Sequence, residues 1–172
     1  MTFAPATRKL VLAVHLTFAT GWIGAVIAFL AVLIAAMRSD AEQTLRSSWL
    51  AMETMGNFAI VPLAVASLVT GIALALGTRW GLFRHYWVVI SLLLTVVAVL
   101  VLLSNMQTVR DYAEVARGRT DSGEAAHLRD GLQGELAHAG IGLIVLLVIQ
   151  VLNVYKPRGM TRAGWRRSHA PS

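Results

Sequence analysis

Five histidines and no cysteine set the terms of any chemistry this 172-residue chain can do. Without thiols, a metal or prosthetic group must be held by imidazole, thioether, carboxylate or carbonyl, and neither a disulfide nor a Cys nucleophile is available. His15 is the residue that asks for a reason. It lies within residues 10–37, a run of 28 without Asp, Glu, Lys or Arg, and shares a helical face with Ala19 and Trp22, with Gly24 two residues beyond. An ionisable ring in so apolar a run is costly, and such groups tend to be functional. A second candidate set is softer: Met52, Met55 and Met106 with His138, to which Met37 and Glu53 are close in kind. Thioethers and an imidazole suit Cu(I). No nucleotide loop, Ser-His-Asp set or metalloprotease pair is present, so the sequence does not support an enzyme.

These residues must be carried by membrane spans. Mean hydropathy is +0.65, the hydrophobic fraction 56% and the charged fraction 14%, against about 25% charged in ordinary soluble domains. Charge-free runs at 10–37, 54–78, 85–109 and 136–155 are each long enough to cross hydrocarbon, for which roughly 20 residues suffice. None alternates like a strand, and helices satisfy their own backbone in lipid. The expectation is an all-α, up-down-up-down, four-helix membrane bundle forming one domain over 1–172, with helices near 9–37, 47–78, 84–116 and 135–156 and a basic tail at 157–172. The first run is about twice as long as a signal-peptide core and lacks a cleavage site.

Charge sets the orientation. The N-terminus, the loop between helices two and three and the C-terminal tail carry Arg8, Lys9, Arg79, Arg84, Lys156, Arg158, Arg162, Arg166 and Arg167 and no acid. All nine acidic residues fall at the opposite ends, among six arginines. Both termini are predicted cytoplasmic. The excess of +6 therefore serves topology and anionic inner-leaflet lipids, not nucleic acid. The localisation expected is a bacterial cytoplasmic membrane, multi-pass.

Along the chain, Trp49 is expected in the outer aromatic belt, Pro62 is expected to kink helix two, and helix three is expected to protrude to about Arg117. Gly118 and the Asp121-x-x-Glu124 capping box predict a break and a short separate surface helix near 125–133, with His127 solvated. Trp165 is expected to anchor the tail.

Sorted by depth, His15, Thr70, Tyr86, Trp87, Gln150 and Asn153 form an inner polar layer that could hold a cofactor, with His85 slightly nearer the cytoplasm. The methionines, Glu53 and His138 form an outer layer that could hold a soft metal. Blander readings stand beside both. In these His15 hydrogen-bonds a neighbouring Thr or Asn, methionines fill gaps, and Glu53 is a wet interfacial carboxylate. Gly21, Ala25, Ala28 and Ala35 line a small-residue seam that would allow packing within the chain or in a homo-oligomer or membrane complex.

The pattern His15-x6-Trp22-x-Gly24 resembles that of the copper-resistance D membrane domain and of the four-helix protoporphyrinogen oxidase of the HemJ type. A related bacterial family of integral membrane proteins without an assigned function is similar over nearly the whole chain, including Thr70-Gly71, the segment from Trp80-Gly81-Leu82-Phe83 to Trp87, and Tyr155-Lys156-Pro157-Arg158-Gly159. The resemblance implies a four-helix bundle whose first-helix His15 ligates haem b, with His85 or nothing as second ligand, or takes part in copper handling. The oxidase places a Lys early in its third helix, where this chain reads Val88-Val89-Ile90-Ser91. That departure speaks against porphyrinogen oxidation. The alternatives carried forward are haem b at His15, Cu(I) on the outer methionines and His138, and an accessory subunit with no cofactor.

Overall fold

The structure, a computed structural model, describes residues 3–77, 85–118, 122–156, 159 and 161. Segment 80–83, Asp121, Arg79, Arg84, Arg158 and the tail arginines with Trp165 lie outside the described residues. The helices are α1 (Pro5–Arg38), α2 (Glu42–Met55), a π turn (Gly56–Ile60), α3 (Val61–Gly77), α4 (Tyr86–Arg117) and α5 (Ser122–Tyr155). The elements α2, π turn and α3 make one continuous span, so the fold is an all-α bundle of four spans with no strand among the described residues. All four are long and apolar enough to cross a membrane, and only 17–22% of each span's most apolar window is buried. Phe58, Leu76, Leu93 and Ile141 project outward with more than 60% of their surface exposed. An apolar exterior of this extent is a lipid-facing surface, and the chain is a multi-pass membrane protein.

The helices run beyond the charge-free segments. The expected break between 125–133 and the last span is absent, because α5 is continuous from Ser122. Gly131 permits this: a Cβ there would press into the Tyr112 ring, which packs against the α5 backbone at that point. At the other end α5 stops at Lys156, whose φ of +45° and N–H to the Leu152 carbonyl (3.0 Å) form a left-handed cap ahead of Pro157.

The ring of neighbours is closed. The first span packs on the second and fourth, and the third packs on the same two. The buried positions of α1, Trp22, Val26, Phe29, Leu33 and Ala36, alternate spacings of four and three, the period of left-handed bundle packing. On α5, Leu128, Leu132, Glu135, Ala139, Leu146 and Ile149 follow the same heptad phase.

The second span needs a correction to keep that phase. Its buried series is Leu45, Trp49, Met52, Gly56, Ile60, Ala64 and Ser67, where three successive spacings of four replace the expected alternation. One extra residue has been inserted, and the π turn absorbs it, closing with a Val61 N–H to Gly56 carbonyl bond. Pro62 supplies the cause. It donates no hydrogen bond and its ring would crowd the Phe58 carbonyl in a regular helix, so the turn just before it widens.

The far end of the bundle, away from both termini, is filled and tied. Trp49 is fully buried, donates its indole N–H to the Leu128 carbonyl across the bundle (3.1 Å) and stacks on Tyr112 (4.5 Å between centroids). The expected belt position for Trp49 is therefore wrong; its side chain lies on the seam. Glu53 is likewise buried, against expectation, and pairs with Arg117. Arg46 donates to the carbonyls of Val115, Ala116 and Gly118 and so caps the C-terminus of α4. His127 is exposed as expected, with its ring near Tyr112 (5.1 Å).

Candidate functional site

The seam that packs the far half continues toward the termini with different residues. On α1 it runs back through Ala19, His15, Leu12 and Arg8; on α3 it presents Ser67, Gly71 and Ala75; on α4, Ser91 and Thr95; on α5, Asn153 with Gln150 beside the seam. Small and polar side chains here replace the Phe, Leu, Trp and Met of the far half. The packing follows: α2 reaches across to α5, whereas α3 makes no comparable contact with it. The result is a cavity of about 460 Å³ among the four spans, within the roughly 300–1,000 Å³ range of small-molecule and cofactor sites.

His15 is the centre of its wall. Nδ1 lies 3.0 Å from Thr70 Oγ1, and the Thr70 hydroxyl donates its proton to the Ala66 carbonyl at 2.7 Å. With its proton on that carbonyl, the hydroxyl is an acceptor toward the ring. This arrangement favours the tautomer protonated on Nδ1, which leaves the Nε2 lone pair over. Gly71 lies against the imidazole; a Cβ there would sit 3.2 Å from Cε1. Trp22 and Trp87, both buried, line the cavity with Leu68, Leu92, Leu146 and Ile149. Ala75, Trp87 and Val88 form a second small apolar cluster on the α3–α4 side. Arg8, Lys9 and Lys156 stand at the mouth on the terminal end.

Of the sequence candidates, His15 and Trp22 share this cavity; Trp87, Gln150 and Asn153 of the expected inner layer line it too, and Thr70 reaches it only through His15. Gly24 does not: it is exposed on α1, off the seam, with open space where a Cβ would stand. His85 is half-buried just before α4, where its carbonyl accepts the N–H groups of Val88 and Val89, and it is not part of the wall. Tyr86 points outward. In the outer layer Met52 and Met106 are buried in the apolar core, Met55 packs at its edge and His138 is half-buried on α5. Among the described residues no group of three or more His, Asp or Glu could hold a metal ion.

Depth sorting passed over Ser67, Ser91 and Thr95. Ser91 is 5% exposed, and its Oγ has no hydrogen-bond partner among the described residues. Ser91 lies two successive four-residue steps back from Val99 through Thr95, one residue off the strict heptad position at Leu92, so neither depth nor heptad phase singles it out. Compared with protein-family models, curated proteins and solved structures, the chain gives no significant match.

Proposed function

We propose that this membrane protein holds haem b through His15 Nε2 and serves a redox or haem-handling role in a bacterial cytoplasmic membrane, with both termini inside. The observation that carries the reading is the His15–Thr70 pair. A ligating imidazole is held in one tautomer by a hydrogen bond from its other nitrogen, and Thr70 supplies that bond here at 3.0 Å. The residues present fit the group. A neutral nitrogen donor faces a bundle core with mostly apolar walls, the setting in which four-helix proteins bind such cofactors.

Haem, when bound, supplies reversible one-electron chemistry at iron. The chain's own work is positional. Thr70 fixes the plane of the imidazole, Gly71 gives the ring clearance against α3, and Trp22, Trp87, Leu146 and Ile149 exclude water from the wall. None of these side chains is a general acid or a nucleophile, which favours binding or electron transfer over substrate turnover.

The test is the reduced-minus-oxidised visible spectrum of the purified protein, as isolated and after haem addition, beside His15→Ala. The expected result is a Soret and alpha band in the wild type that is lost in His15→Ala. A wild type without a band under both conditions overturns the reading.

A further inference from the structure

We propose that Glu135 is a proton-binding site built into the α4–α5 seam at the far end of the bundle, where its carboxyl group is held as the neutral acid. The site is independent of the haem reading, because it lies at the other end of the spans from His15.

Glu135 falls on the buried stripe of α5, whose other members Leu128, Leu132, Ala139, Leu146 and Ile149 are apolar, and it is only 4% exposed. Asn105 of α4 meets it there. One amide nitrogen, Nδ2, donates to both carboxyl oxygens, at 2.8 and 3.0 Å. An ionised carboxyl group offers about four lone-pair sites, so a single neutral donor leaves most of its demand unmet. Taking that charge out of water costs more than one amide contact returns. Binding a proton removes the charge and leaves a group that the same contact can hold.

Glu53 supplies the comparison. It is nearly as buried, on the seam of α2, and it is paired with Arg117 of α4. Two carboxyl groups at one end of the bundle are thus neutralised differently, one by a guanidinium and one by a proton. The other charged groups around Glu135 are engaged or turned away. In α1, residues 10–37 include no Asp, Glu, Lys or Arg. Arg46 of α2 is bound to Glu42 and to the end of α4, and Arg129 of α5 reaches the Ser39 carbonyl. Arg110, Asp111 and Glu114 of α4 and Asp130 of α5 are exposed. His138 follows one turn later on α5, half-buried, and no ion pair joins it to Glu135 among the described residues.

The proton comes from the water beyond the far end. Glu135 immediately precedes the charge-free run 136–155, so local parting of α4 and α5 at the edge of the apolar segment suffices for exchange.

The test uses the full-length protein in liposomes of neutral lipid. Infrared spectra in deuterated buffer should show the carbonyl stretch of a protonated carboxyl group at neutral pH. The band should fade in alkali, be missing from Glu135→Gln, and persist in Glu53→Gln. Gln keeps the size of the neutral acid and an oxygen for Asn105, so Glu135→Gln should fold. Dicyclohexylcarbodiimide, an apolar reagent that adds to protonated carboxyl groups to give an N-acylurea, should modify Glu135 of the wild type at neutral pH, located by peptide mass. This reading needs no variant. An adduct on Glu135 supports the proposal, and its absence overturns it. A wild type without the acid band at neutral pH, or a band that survives in Glu135→Gln, overturns it equally.

Discussion

Replacing Thr70 with Val keeps the shape of the side chain and deletes the oxygen that accepts the His15 Nδ1 proton at 3.0 Å. The buried donor then has two outcomes. If it stays unpaired, the site bears a penalty of about 1–3 kcal/mol. If instead the proton moves to Nε2, the lone pair leaves the side of the ring that the haem reading needs. Loss of a comparable partner behind a metal-ligating His costs about 10–100-fold in affinity, equivalent to roughly 1.4–2.7 kcal/mol. The two estimates agree, as expected if a single hydrogen bond sets the tautomer. Thr70→Val should therefore bind haem b about 10–100-fold more weakly than wild type, and Thr70→Ser, which keeps the oxygen, should stay close to wild type. Thr17→Val is the control, because Thr17 is exposed and its hydroxyl serves only the Ala13 carbonyl of its own helix (3.0 Å). The assay is a Soret titration, joined by nitrogen NMR of histidine-labelled protein to read the His15 tautomer without ligand. Unchanged affinity in Thr70→Val, with the proton still on Nδ1, would refute the assignment of Thr70 as the residue that orients the ring.

Two further outcomes follow from the far end. Trp49→Phe removes an indole N–H bonded to the Leu128 carbonyl and part of a fully buried ring, so thermal unfolding in detergent should show a loss of about 1–3 kcal/mol, with haem titration unaffected. Gly56→Ala drives a Cβ into Met106 Sδ and Cε; overpacking of this kind costs about 1–3 kcal/mol, and adding Met106→Ala should recover part of it, so that the two losses measured separately exceed the loss in the double variant.

The spans could be read from the chain because charge is absent from them, a property that needs no knowledge of packing. What lay beyond reach was the partner of each polar residue. Trp49 and Glu53 sit at the depth where an aromatic belt and wet carboxylates are expected, but their fate depends on facing direction: the seam of α2 turns Trp49 toward Leu128 and Glu53 toward Arg117. The continuity of α5 was hidden for a similar reason. Gly118 and a capping box just after α4 read as punctuation, whereas Leu128 and Leu132 extend the same buried stripe as Ala139 and Leu146. Local signals favoured a separate helix, and burial of the stripe made one.

The inner layer was found by depth, and its geometry is set by phase. Counting an uninterrupted heptad from Gly56 would bring 59, 63, 66 and 70 to the bundle axis; the π turn before Pro62 brings Ile60, Ala64, Ser67 and Gly71 there instead. A shift of one residue is a rotation of about 100°. Without it Thr70 would occupy the axis, where its branched side chain would fill the space now held open by Gly71. With it Thr70 stands beside the cavity, close enough to take the Nδ1 proton of His15, while Gly71 gives the ring room. Pro62 lies two turns from Thr70, so a residue that reads in sequence as a mere kink determines which nitrogen of His15 remains available for a ligand.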